Sequence, residues 1–294
     1  MTHLAVQRLR FRLQAPYDTD WVLRFLARRA IPGLETVAGD RYERALPEGP
    51  VRIRIDAGAA SVSAPADVPR VDVARRVRAL LDLEVDPQAI DGALSAEPTM
   101  ARRVAARPGL RVPGAWDVYE LSVRAILGQQ VSVERATQLT IALVERFGSA
   151  RDRGAPKSFP EPAVLARANP SEIGLPGTRG RAIAQLAAEF ERGALSRTEN
   201  EVERLRTTLA SIPGVGPWTT EYIAMRGGRD PDAFPASDWV VLKELSATAA
   251  GARAQAEAWR PFRAYAVMYL WAAAARRKAD VERRKRAQIR RSRG

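Results

Sequence analysis

Residues Leu205 to Leu245 read LRTTLASIPGVGPWTTEYIAMRGGRDPDAFPASDWVVLKEL. A helix-forming run ends near Ala210, and Ser211-Ile212-Pro213-Gly214-Val215-Gly216 predicts a tight hairpin. Pro217 then opens a second helix, because a proline at the first helical position lacks only an N–H that would have no partner there. Gly214 and Gly216 permit backbone angles that other residues resist, and they leave the backbone bare. The free N–H groups at the start of the second helix would point outward, where a phosphate can dock. Asp238 follows about twenty residues on, beside Trp239 and after a Phe234-Pro235 turn. A plainer reading of the same letters is two helices, a glycine turn, and Asp238 capping a third helix.

Working outward, the chain has 294 residues and 46% hydrophobic content, enough for a core and two domains. Of its net charge of +13, residues 276–294 carry +8, so the remainder is only mildly basic at +5. A basic balance points to an acidic partner, nucleic acid first. Cysteine is absent, which excludes disulfides, iron–sulfur clusters and thiolate-bound zinc. The lone histidine, His3, sits near the start, which argues against a Ser-His-Asp site or a multi-histidine metal site. Acid–base chemistry would therefore fall to carboxylates. No segment is apolar enough for a signal peptide or a membrane span, so a soluble, cytoplasmic protein is expected.

Toward the N-terminus, Leu9, Phe11 and Leu13 alternate with Arg8, Arg10 and Arg12, as do the apolar residues of Val51–Ile55, and Ala60–Ala64 is a weaker strand. Helices are expected from about Asp20 to Ala30 and from Asp72 to Leu83. Residues 1–95 thus read as a small α+β domain with an antiparallel sheet. Beyond Pro87 only helices are expected: Asp117–Leu127, Val131–Phe147 after the Gly128-Gln129-Gln130 break, Arg179–Arg192, the hairpin pair, and Trp259–Ala275 with Pro261 in its first turn. Residues 150–161 read as a surface loop. Residues 96–275 form the helical domain, and 276–294 a basic, flexible tail.

The hairpin with its following aspartate resembles the helix-hairpin-helix DNA glycosylases of base excision repair. Further blocks are similar to one subfamily, the 3-methyladenine DNA glycosylase II (AlkA-type) enzymes. They are Pro16-Tyr17, Phe25-Leu-Ala-Arg28, Arg107-Pro-Gly-Leu-Arg111, Arg124-Ala-Ile-Leu-Gly-Gln129, Ile212-Pro-Gly-Val-Gly-Pro-Trp-Thr219 and Trp259-Arg-Pro-Phe-Arg-Ala-Tyr265. The resemblance implies a monofunctional enzyme that flips and excises alkylated bases of the 3-methyladenine and 7-methylguanine class from double-stranded DNA. It implies a monomer with no cofactor and no metal held by side chains, although a monovalent cation at the hairpin backbone is an option. It gives the catalytic role to Asp238 and the base pocket to Phe25, Trp218, Tyr222, Trp239 and Trp271. It places DNA contacts at Gln129, Gln130, Gly214, Val215, Gly216, Trp218 and Thr219.

The chemistry agrees with that assignment. Cutting a base from deoxyribose passes through an oxocarbenium-like state that a carboxylate stabilises, and the base must first leave the stack. A cationic alkylated base is attracted by aromatic walls, by about 0.5–2 kcal/mol. Each of these aromatics also has a plain packing alternative, strongest for Phe25 on the apolar face of its helix. Trp218 stands where lyase-active relatives carry a lysine, so strand cleavage is not expected. Two departures stand out: Gln130 replaces a leucine wedge, and Ser237 replaces an acid carried by some relatives. The alternatives are a non-catalytic helix-hairpin-helix DNA-binding protein, which would need neither Asp238 nor its aromatic neighbours, and an oxidised-purine glycosylase with lyase activity, which Trp218 disfavours.

Overall fold

A computed structural model describes residues 5–56, 58–150, 157–198 and 201–291, with side chains as far as Arg283. His3 and residues 151–156 of the expected 150–161 loop lie outside it. The chain opens with β1 (Val6–Arg12), α1 (Thr19–Ala27), β2 (Glu35–Ala38), β3 (Arg41–Arg44), β4 (Val51–Asp56) and β5 (Ala59–Pro65). These strands form one antiparallel sheet in the order β1-β5-β4-β3-β2. Alternation decides which face is buried: Val51, Ile53 and Ile55 point inward from β4, while Arg52, Arg54 and Asp56 point out. Asp18 caps α1 through the Trp21 N–H at 2.8 Å, and α1 lays Trp21, Val22, Phe25 and Leu26 onto the core.

Helices follow: α2 (Arg70–Leu81), α3 (Pro87–Ser95), α4 (Pro98–Ala106), α5 (Val118–Leu127), α6 (Val133–Phe147), α7 (Pro162–Arg167), α8 (Gly177–Glu191), α9 (Val202–Ala210), α10 (Pro217–Arg226), α11 (Trp239–Leu245), α12 (Ala249–Ala256) and α13 (Arg263–Arg291). The structure therefore shows a small antiparallel-sheet unit followed by a helical one. Two differences from expectation are physical. Pro261 lies ahead of α13 rather than in its first turn, in the bend after Trp259. The basic stretch expected as a flexible tail continues α13 as helix to Arg291.

Polar clamps join the two parts. Arg44 on β3 grips Glu120 on α5 with both terminal nitrogens, and Arg124 bonds Glu120 and Glu35 at 3.0 Å each. Tyr42 donates to the other oxygen of Glu35 at 2.9 Å. Arg44 and Arg124 hold the buried Glu120 well below the usual carboxylate range, against the cost of burial. Arg111, 1% exposed, donates to the carbonyls of Gln14 and Pro16 at 3.0 Å each, and its own carbonyl accepts Trp21 Nε1 at 3.1 Å. Gly109 sits at φ +78°, and a Cβ there would meet the Pro16 carbonyl at 2.4 Å. The Arg107–Arg111 block is thus a seam in which only glycine lets the two backbones meet. Among the described residues no helix is long and apolar enough to cross a membrane.

Candidate active site

A cleft of about 2000 Å³ runs between α1, α5, α10, α11 and α13, lined among others by Phe25, Trp218, Tyr222, Asp238 and Trp271. Helix α10 supplies one wall by its period. Trp218, Tyr222 and Arg226 recur every fourth residue and so share a face. Trp218 stacks on Tyr222, with ring centroids 5.2 Å apart and 15° between planes. Helix α13 brings in Trp271, 6.3 Å from Tyr222, and α1 brings in Phe25, stacked on Trp271 at 6.3 Å. Phe25 is 4% exposed, so it serves the core and the cleft wall at once.

Asp238 is 8% exposed and caps α11. Its Oδ1 accepts the Val240 and Val241 N–H groups and Trp271 Nε1, each at 3.0 Å. Its Oδ2 accepts only Trp218 Nε1, also at 3.0 Å. The capping role and the place in the cleft are therefore both true of this residue. Each carboxylate oxygen offers about two acceptor positions; Oδ1 is fully used by its three donors, and Oδ2, with one donor, keeps a position open. The segment ahead of Asp238 is anchored from behind: Glu221 accepts the Phe234 N–H at 3.0 Å and Arg206 Nε at 2.8 Å.

The floor holds two cations that sequence reasoning missed. Arg226, 6% exposed, donates to Tyr222 Oη and to the Pro113 and Gly114 carbonyls, all at 2.7 Å. Arg29 lies with its guanidinium carbon 3.8 Å over the Phe25 ring. Burial opposes ionisation of Tyr222, yet the charges and hydrogen bonds of Arg226 and Arg29 bring its hydroxyl down to about 8. Burial, partly offset by Tyr222, brings Arg29 down to about 10. The available signal was helical spacing: Arg29 stands four residues after Phe25, and Arg226 four after Tyr222, each on an apolar face.

Trp239 departs from expectation. It is 70% exposed, with Lys243 Nζ 4.9 Å from its ring centroid, and it lies at the cleft rim rather than with the stacked rings. The reason is its position: the first residue after the cap of α11 points away from the side chain that caps.

The hairpin is exposed at Pro213, Gly214 and Gly216, with Gly214 at φ +92° as its turn requires. No side chain caps α10. The N–H groups of Gly214, Gly216 and Trp218 have no acceptor among the described residues. Three residues expected at DNA are used internally. The Val215 N–H closes the turn onto the Ile212 carbonyl at 3.0 Å, and its side chain is buried. Gln129 Nε2 donates to the Gly214 carbonyl at 2.9 Å and to Thr219 Oγ1 at 3.0 Å, and Thr219 is 2% exposed. These side chains brace the hairpin from within. Gln130 is exposed, at φ +56°. No cluster of His, Cys, Asp or Glu among the described residues could hold a metal. The Ile212 and Gly214 carbonyls each keep a second lone pair that a monovalent cation could use.

Residues 8–117 match the AlkA N-terminal domain, and residues 123–258 match the HhH-GPD superfamily base excision DNA repair protein model. The chain is 37% identical over 280 residues to DNA-3-methyladenine glycosylase 2 of Escherichia coli K12, covering 88% of this chain and 94% of that protein. It is 36% identical over 285 residues to a probable bifunctional transcriptional activator/DNA repair enzyme AlkA of Mycobacterium tuberculosis, covering 90% of this chain but only 56% of that longer protein. In fold it is similar to the 3-methyladenine DNA glycosylase of Archaeoglobus fulgidus, with a TM-score of 0.74, 20% identity, and coverage of 89% of this chain and 97% of that one. The chain belongs to the DNA-3-methyladenine glycosylase 2 family, within the HhH-GPD superfamily of base excision DNA repair proteins.

Proposed function

We propose that this chain, acting as a monomer on double-stranded DNA, excises alkylated purines of the 3-methyladenine and 7-methylguanine class by hydrolysis of the N-glycosidic bond. The observation that carries the reading is a carboxylate at an aromatic cleft with one acceptor position left open, Asp238 Oδ2. That oxygen faces the developing oxocarbenium ion and holds the attacking water. The two indole N–H donors fix the carboxylate while it does so. A cationic base already leaves readily, so the stacked rings of Trp218, Tyr222, Trp271 and Phe25 need only hold it. The uncapped hairpin N–H groups of Gly214, Gly216 and Trp218 bind a phosphate without reading sequence. Gln130, exposed on the loop beside them, fills the gap left by the extruded nucleotide.

Strand cleavage is not part of the reaction. No lysine starts α10; of the two lysines that line the cleft among the described residues, Lys243 lies against Trp239 at the rim and Lys278 stands toward the C-terminal end of α13. A non-catalytic DNA-binding protein would have no use for a carboxylate fixed by two indoles. The test is a base-release profile on methylated duplex DNA, with borohydride added in a parallel sample. Release of methylpurines with intact strands and no trapped adduct is expected. Binding without release, or a trapped covalent complex, contradicts the reading.

A further inference from the structure

The cleft does not end at the aromatic pocket. Helix α13 is buried from Ala264 to Leu270 and exposed from Ala275 to Ala279, yet it keeps lining the cleft as far as Arg283. Residues 276–291 add about 24 Å of helix beyond the core. This length has no apolar stripe to bury. Between Arg276 and Arg291 only Val281 and Ile289 are large and apolar, and Val281 is 51% exposed. A helix that is polar all round is held by its charges or by a partner, and here the charges repel. Residues 276–294 hold ten cations and two acids, with four cations in a row at Arg283-Arg-Lys-Arg286, so internal pairing leaves most of them unmatched. Arg283 takes Asp280, Arg277 takes Glu244 on α11, and Lys278 acts on Glu134 in the first turn of α6. Arg276 has no carboxylate partner among the described residues, and neither has Arg102, exposed on α4 in the same cleft. The charge is also gathered in one place. Thirteen Arg or Lys residues line the cleft against four acids, whereas the chain before Arg276 carries only +5.

We propose that residues 276–291 of α13 form a DNA-binding arm that lies along the phosphate backbone flanking the extruded nucleotide. The inference rests on the reading of the chain as an enzyme of duplex DNA, and it adds a second phosphate-binding element to the hairpin. A polyanion relieves the self-repulsion of such a helix, and the cleft that holds the extruded base runs without a break along its first two turns. The two elements start from the two indoles that hold Asp238: the hairpin leads into Trp218, and the arm leaves from Trp271. Arg277 fixes the root of the arm to α11, the helix that Asp238 caps, through Glu244, whose side chain is 2% exposed. At 3.4 Å per nucleotide the arm is long enough for about seven phosphates. Its contacts are with phosphate, so they position the duplex without reading sequence.

The experiment measures affinity for an undamaged duplex of about 25 base pairs between about 50 and 200 mM salt. It uses the full chain as wild type, with Arg276→Gln and Lys278→Gln combined, and with Arg10→Gln and Arg12→Gln combined. The last pair removes the same charge from the exposed face of β1, outside the cleft. The slope of log affinity against log salt is expected to become shallower by about 2 in the α13 variant, at about 0.9 per lost phosphate contact. Its thermal midpoint should stay that of the wild type, since both side chains are exposed. The β1 variant should keep the wild-type slope, and so should Arg276→Lys combined with Lys278→Arg, which retains both charges. Equal slopes in the wild type and the glutamine variant of α13, or the same flattening in the β1 variant, overturn the proposal. Equal slopes together with lost binding to phosphatidylserine vesicles overturn it in favour of a membrane surface. A wild type without affinity for the duplex overturns the reading as an enzyme of duplex DNA, and failure of base release alone leaves the arm untouched.

Discussion

At the scale of single residues, the account turns on how each side chain is held. Trp218 and Trp271 give Asp238 one hydrogen bond each. Trp218→Phe keeps the ring and removes the donor to Oδ2. Base release should slow by about tenfold with duplex affinity little changed, which single-turnover rates and a binding titration will separate. Asp82 makes a different point. It ends α2 in the left-handed region at φ 54° and accepts the Val112 N–H and Tyr265 Oη at 3.2 and 3.0 Å. Burial pushes its carboxyl up to about 6, with those hydrogen bonds and the charges of Arg111 and Arg229 opposing. Because the folded value lies above the unfolded one, the contribution is full below the ordinary carboxylate range and is lost as pH rises through about 6. Asp82→Asn keeps the acceptor and suits a left-handed position. It should stabilise the protein by about 2 kcal/mol at neutral pH and hardly at all near the acid end, as urea melts at the two pH values would show.

At the scale of elements, the hairpin was legible and its bracing was not. Gly-Val-Gly-Pro announces a turn and a helix start by backbone chemistry alone. That Gln129 would reach back to Gly214 and Thr219 depends on a loop 85 residues away in sequence. The alternating strands β1, β4 and β5 were read because their patterns are regular. Strands β2 and β3 were missed because they are four residues long and bury Arg44, whose partner Glu120 lies on a distant helix. Trp271 was found from motif position, but the half-buried Arg29 and buried Arg226 stayed hidden because cations set into an aromatic cleft run against the usual pattern. Gln130 allows a clean separation at this scale. Its positive φ costs roughly 1 kcal/mol for a residue with a side chain. Gln130→Gly should therefore leave stability unchanged or slightly raised while release slows. An unimpaired rate would remove Gln130 from the gap-filling role.

At the scale of the whole molecule, the sheet unit is part of the site rather than an appendage. It supplies Phe25 and Arg29 to the cleft, and the Arg44–Glu120–Arg124–Glu35 cluster fixes it against α5. Arg124 also donates to the Arg29 carbonyl, so the clamp and the pocket floor share a residue. Glu120→Gln leaves Arg44 and Arg124 with Glu35 as their shared counter-charge and should cost about 3 kcal/mol. Thermal melts should show the loss. Residual folded protein should release base more slowly, because the end of α1 is no longer held. A variant as stable as the wild type would mean that the two parts dock by apolar packing alone. The overall order of sheet then helices was readable from patterning. The manner of docking was not, since it rests on charges paired across long stretches of chain.

The central claim is that one carboxylate, Asp238, performs the chemistry. Asparagine caps a helix as well as aspartate does, so Asp238→Asn removes the charge and leaves α11 in place. Single-turnover release of methylpurines from duplex DNA should fall by at least about a hundredfold, with duplex affinity within a factor of a few of the wild type. Release at the wild-type rate by a folded, DNA-binding Asp238→Asn protein would contradict the account.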